Sequence, residues 1–149
     1  MTIKNRALGA LAATFALVSL TGAAVAADRP YAEGPVTVVS SIRTLPGMQD
    51  TYLKYLATTY KTNMEAAKKA GIILDYSVYE ATPRSADDPD LYLTVTYKNM
   101  AAMDGLDEKM EPIMQSSFGD DAARSTAAID REKMRRQVGQ ETIREVVLK

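Results

Sequence analysis

One segment, Asp90-Leu-Tyr-Leu-Thr-Val-Thr-Tyr-Lys-Asn-Met-Ala-Ala-Met-Asp-Gly-Leu106, narrows the possible folds of this chain more than any other. Leu91, Leu93, Val95 and Tyr97 alternate with Tyr92, Thr94, Thr96 and Lys98, and nearly all are β-branched or aromatic, which is the pattern of a strand with two different faces. Asn99 can then accept from the free backbone N–H groups of a first helical turn. Met103, Leu106, Met110 and Ile113 follow at helical spacing, and Pro112 is expected to kink that helix or end it within a turn.

The remaining chain supplies partners for this unit. Residues 36–43 alternate Val36, Val38, Ser40 and Ile42 against Thr37, Val39, Ser41 and Arg43, a first strand broken by Leu45-Pro46-Gly47. A helix with the stripe Leu53, Leu56, Tyr60, Met64 and Ala67 comes next, ended by Lys68, Lys69 and Gly71. Residues 72–80 form a second strand with Leu74, Tyr76 and Val78 on one face, and the turn-rich loop 81–89 makes it a hairpin with the strand that begins at Asp90. After Gly119 and Asp120, residues 121–137 read as a charged, alanine-rich helix closed by Gly139, and 142–148 as a fourth strand. The order is that of a ferredoxin-like α+β domain, βαββαβ, with both helices on one face of a four-stranded antiparallel sheet. Thr37, Val39, Ser41, Ser77, Tyr79, Tyr92, Thr94, Thr96 and Val146 are then expected on the uncovered face, whose mixed character suits a second sheet and hence a homodimer.

Ahead of this domain, Lys4 and Arg6 precede an apolar run from Ala7 to Leu20 and small residues at Ala24 and Ala26. This is the plan of a secretory signal peptide, too short to span a bilayer as a helix. The expected organisation is a signal over 1–26, a leader over 27–35 and the domain over 36–149, in a periplasmic or secreted protein with no membrane attachment once the signal is removed. Composition excludes further classes. The net charge of −1, more acidic once Lys4 and Arg6 are gone, leaves no footprint for nucleic acid. The chain has no cysteine and no histidine, which removes disulfides, thiolate chemistry and the commonest general base and metal ligand.

Pro46-Gly-Met, Tyr52-Leu, Tyr55-Leu, the segment from Asp90 to Met100, Leu106 and the closing Ile143-Arg-Glu-Val-Val-Leu resemble the dimeric α+β barrel superfamily over residues 36 to 149. Within it the chain looks most like exported bacterial members without an assigned activity. The resemblance implies fold and pairing of two copies far more than activity, because the superfamily includes antibiotic-biosynthesis-type monooxygenases, haem-degrading monooxygenases, dye-decolourising peroxidases and stress-related proteins. Its haem-using members would imply a histidine ligand that this sequence lacks.

Neither a cofactor, a metal nor a catalytic set is therefore expected. Asp87, Asp88 and Asp90 lack the glycine turn and bidentate glutamate of a calcium loop and read as a solvated turn. Met64, Met103 and Met110 fall on apolar stripes and read as core. Arg131, Lys133, Arg135 and Arg136, offset by Asp130 and Glu132, read as a solvated helix; Arg43 and Arg144 read as surface ion pairs or a carboxylate clamp. The tyrosines leave two readings open. Tyr52, Tyr55, Tyr60, Tyr76, Tyr79, Tyr92 and Tyr97 are either good packing residues or the lining of a pocket for a small aromatic compound. Tyr60, Tyr76 and Tyr97 share faces with apolar residues and are the expected ligand-binding set. The functional expectation is a non-catalytic, stress-associated or small-molecule-binding dimer; the alternative is a cofactor-independent monooxygenase for an aromatic or polyketide-like substrate.

Overall fold

The computed structural model describes residues 29–149, so the export segment expected over 1–26 lies outside the described residues. β1 (Tyr31–Thr44) leads into a helical stretch in three consecutive pieces: α1 (Gln49–Tyr55), a π-helical turn (Leu56–Tyr60) and α2 (Lys61–Lys69). β2 (Asp75–Glu80) and β3 (Leu91–Tyr97) form a hairpin; a 3₁₀ turn (Met100–Met103), α3 (Leu106–Phe118) and α4 (Asp121–Glu132) then lead to β4 (Arg135–Leu148). All pairings are antiparallel and the sheet order is β2-β3-β1-β4, the ferredoxin-like α+β arrangement.

Alternation decides which face is buried. Val36, Ile42, Leu91, Leu93 and Tyr97 lie on the side covered by helices, and their neighbours Thr37, Thr94 and Thr96 on the other. Ile42, Leu91 and Leu93 pack with Tyr52 and Leu56 of the first helix in one core cluster. Ala67, Ile73 and Tyr97 centre a second, which Met103, Leu106, Met110 and Ile113 complete. Asn99 caps the 3₁₀ turn as its position requires, its side chain accepting from Ala102 N at 2.9 Å.

Several boundaries differ from the sequence reading. β1 starts at Tyr31, inside the expected leader 27–35, because β4 is long enough to pair with it as far as Leu148. Gly34 and Pro35 form a bulge in that extension, where a Cβ on Gly34 would lie 2.8 Å from Glu145 Cβ. Helix α4 stops at Glu132, not near Gln137, and Gly139 is a strand residue opposite Ser41. The turn at Lys133 and Met134 lets residues 135–137 claim the free edge of β1 at Ile42, Arg43 and Thr44.

Pro112 neither ends nor breaks α3, which continues to Phe118. An interior proline costs about 3 kcal/mol. Met110 and Ile113 are partly buried against the second cluster, and Glu111 is gripped by both terminal nitrogens of Arg124 at 2.8 and 2.9 Å; these contacts offset the loss. Ile73, not Leu74, reaches the core ahead of β2, and Leu74 is 47% exposed. The face expected for Val146 is reversed: it pairs with Glu33 and shares the parity of Arg144, which lies opposite buried Val36, so Ile143 and Val147 take the open side.

The exit of β1 and the start of β3 are tied by one side chain. Buried Asp90 accepts from Thr44 N at 3.0 and 3.2 Å and from Thr44 Oγ1 at 2.5 Å, while its own N–H donates to Ile42 O at 2.9 Å. Asp90→Ala is expected to lower unfolding free energy by about 1–3 kcal/mol, because the Thr44 N–H is left buried without an acceptor. Urea denaturation checks this, and an unchanged midpoint would show that the clamp contributes nothing.

Candidate functional site

Between the first helix and the sheet lies a cavity of about 120 Å³, lined by Ser40, Ile42, Tyr52, Tyr55, Tyr60, Leu93, Arg131, Arg135 and Gln137. Its aromatic wall comes from α1 and the π-helical turn. Tyr52 and Tyr55 are stacked, with centroids 5.9 Å apart and planes 12° from parallel. In a regular α-helix every fourth residue drifts roughly 40° around the axis. The wider turn at Leu56–Tyr60 takes back part of that drift and keeps Tyr60 over the sheet with Tyr52 and Leu56.

The opposite wall is basic, and it exists because of an irregularity in β4. Ser41 pairs with Gly139 but Ile42 pairs with Gln137, so Val138 is an extra residue. Beyond it the parity of β4 switches, and Gln137 and Arg135 fall on the side of Ile42 and Thr44, the covered face. Arg135 is buried, its guanidinium carbon 5.9 Å from the centroid of Tyr52. Its Nη2 meets Glu132 Oε1 at 3.1 Å and its Nη1 lies 3.4 Å from Gln137 Oε1. From the end of α4, Arg131 Nη1 donates to the Tyr55 hydroxyl at 3.4 Å. Three buried polar atoms on these lining residues have no hydrogen-bond partner among the described residues: the Tyr60 hydroxyl and the Nε groups of Arg131 and Arg135. Such groups are uncommon in folded chains and call for a partner such as a water or a ligand atom; Arg124 Nε, outside the cavity lining, is another.

The expected set of tyrosines is divided by the structure. Tyr60 lines the cavity. Tyr76 touches it edge-on, with ring centroids 5.9 Å apart and planes at 79°, and donates its hydroxyl to Glu65 Oε1 at 2.6 Å. Tyr97 is buried in the second cluster with Ala67 and Ile73, away from the cavity lining. Tyr52 and Tyr55 belonged to the wider group of candidates, but Arg131 and Arg135 did not. Their charges look balanced along the chain, and only the bulge at Val138, which alternation does not reveal, turns Arg135 inward. A larger open cleft of about 750 Å³ surrounds Arg43, Thr44, Glu80, Asp90 and Arg136, and its charged groups are paired. Arg43 meets Asp90 and Arg136 meets Asp87, each at 3.6 Å, and Gln49 donates to Glu80 at 2.8 Å. Asp88 accepts from the backbone of Arg84 and Ser85 at 3.0 and 3.1 Å, so the acidic cluster serves the loop.

Burial pushes the ionisation of Tyr60 well above the ordinary tyrosine range, helped by the neighbouring Tyr52 and Tyr76. Burial also raises Tyr52, partly offset by Arg135, and raises Tyr97. The hydrogen bond to Glu65 pushes Tyr76 up to about 12. Each keeps its proton to higher pH in the folded chain than in the unfolded one. Their contribution to stability is therefore complete below the unfolded value of about 10 and is lost as pH rises through the folded values. Tyr60→Phe is expected to leave the neutral-pH melting temperature unchanged or higher, since an unpartnered buried hydroxyl costs about 1–3 kcal/mol, and to make the alkaline decline shallower. Melting curves from pH 7 to pH 11 check both; a marked loss at pH 7 would mean that the hydroxyl has a structural partner.

No family model and no curated protein sequence matches this chain. Solved structures do. HapK from Hahella chejuensis matches with a TM-score of 0.50 at 11% identity, over 74% of this chain and 91% of that one. A dimeric ferredoxin-like protein from an uncultured marine organism matches with a TM-score of 0.50 at 13% identity, over 78% of this chain and 98% of that one. At such identities the likeness is one of architecture, and the chain has the ferredoxin-like α+β fold of these proteins.

Proposed function

We propose that this protein is an exported homodimer that holds a small ring-bearing molecule in the tyrosine–arginine cavity and does not transform it. The observation that carries this reading is the Tyr60 hydroxyl, buried without a partner beside a stacked tyrosine pair and two arginines. A ring supplies a face for Tyr55, the less buried member of the stacked pair, and a polar substituent satisfies the hydroxyl. Size argues against the oxygenase alternative with a polyketide-like substrate. Pockets for drug-sized molecules begin at about 300 Å³, whereas this cavity holds about 120 Å³. Nor do the lining residues include a carboxylate placed to act as a base.

Pairing is supported by the open sheet face, where Thr37 and Thr96 bond to each other at 2.9 Å and Tyr79, Ile143 and Val147 are exposed. Threonines satisfied within the sheet beside exposed large side chains make a face that a second sheet can cover. The dimeric protein of the same fold adds support. Export rests on the charged, apolar and small-residue sequence of 4–26. Among the described residues no helix is long and apolar enough to cross a membrane.

Expression of the full chain in a bacterial host tests the whole reading at once. The periplasmic fraction is expected to yield a polypeptide beginning at Ala27, twice the protomer mass by light scattering, and a bound small molecule in native mass spectrometry that Tyr60→Phe loses. An uncut cytoplasmic chain would remove export, a monomer at micromolar concentration would remove pairing, and retention unaffected by Tyr60→Phe would remove the site.

A further inference from the structure

The charge of the cavity says more than its shape. Two of its lining residues are cations and none is an anion. Among the described residues Arg131 has no carboxylate within 4.0 Å, and its one side-chain hydrogen bond is the long contact of 3.4 Å to Tyr55. Arg135 shares one carboxylate, Glu132, whose side chain is 55% exposed and so is well solvated. Both Nε groups are buried and unpartnered, and the Tyr60 hydroxyl can donate to the same occupant. A guanidinium offers a planar fork of donors, and a buried cation is costly unless an anion meets it.

Resting on the pocket reading above, we infer that the ligand class is a monocyclic aromatic carboxylate, its carboxylate held by Arg131, Arg135 and Tyr60 and its ring against Tyr55, the less buried member of the stacked pair. Size limits the occupant to one ring at most: a cavity of about 150 Å³ takes up benzene, and this one, at about 120 Å³, is smaller and open to solvent, so part of the ring lies at its mouth. The carboxylate follows from the donors. Arginine forks match a planar, two-oxygen acceptor, and the Tyr60 hydroxyl lines the same cavity. Gln137 and Ser40, also on the lining, are neutral and add no competing charge.

Calorimetric titration of the full chain with benzoate, benzamide and acetate separates the components of this inference. Benzoate is expected to bind, with benzamide and acetate each weaker by roughly tenfold to hundredfold, as loss of a charge-assisted contact or of the ring contact implies. Arg131→Gln, at a partly buried position, is expected to fold and to lower benzoate affinity by the same factor, and benzamide affinity by less. Arg135→Gln removes a buried side chain; if it fails to fold, Tyr60→Phe tests the same end of the ligand. Benzamide binding as tightly as benzoate would overturn the anion and leave the pocket standing. Acetate equal to benzoate would overturn the ring. Absence of binding by all three at millimolar concentration would overturn this inference and, if no co-purified molecule is found either, the pocket reading with it.

Discussion

Everything in this molecule is hung on β1, which is hydrogen-bonded along both edges. Its pairing with β3 runs from Val36 to Ile42, and its pairing with β4 runs from Tyr31 to Thr44. A strand paired on both sides can satisfy its backbone only if each neighbour keeps register, and register determines which side chains are inside. Val36 and Ile42 are almost fully buried as a result. The Asp90 clamp fixes the end of that register, because it joins Thr44 at the exit of β1 to the residue just before β3. The helices then have one apolar face to cover.

Two departures from regular geometry converge on the cavity this framework leaves. The π-helical turn brings Tyr60 over the sheet, and the bulge at Val138 turns Arg135 and Gln137 from the open face to the covered one. Without the bulge Arg135 would face solvent, and without the wider turn Tyr60 would drift away from Tyr52 and Leu56. Irregular turns and bulges interrupt hydrogen bonding and are kept where they re-aim side chains. Their coincidence at one cavity, with three polar atoms unpartnered among the described residues, is the physical ground for the proposed site.

The regular part of this design was legible in the residues. Alternation at Leu91 to Tyr97 and Val36 to Ile42, with helical spacing around Leu56 and Leu106, led to the element order and to the ferredoxin-like sheet. Alternation carries no sign of an inserted residue, however. Val138 and Gly139 looked like the end of a helix, and Arg135 was placed in solvent because its acidic neighbours balanced it along the chain. Pro112 misled for a different reason: local propensity is outweighed when the next turn, with Ile113, has a core to join. Of the expected tyrosines, face parity put Tyr60, Tyr76 and Tyr97 in the helix–sheet layer. It could not say that this layer divides into two clusters, with only Tyr60 in the one that holds the cavity.

That division separates the apolar packing from the proposed site. The cluster around Ala67, Ile73 and Tyr97 is packed by apolar side chains from α2, α3, β1 and β3 and contributes burial with few polar demands. The other cluster is backed by Ile42, Leu91 and Leu93 but carries hydroxyl and guanidinium groups that a dry core would exclude. Such groups lower the stability of an empty domain, and a fold of this size has only a small margin to lose. Concentrating them in one cluster, behind a strand already held along both edges, keeps the cost local. Tyr60 and Tyr76 touch across the seam between the clusters, where one hydroxyl is satisfied by Glu65 and the other is left free. Two residues of the same type in contact thus serve opposite ends: Tyr76 closes the packed side, and Tyr60 presents its polar atom to the cavity.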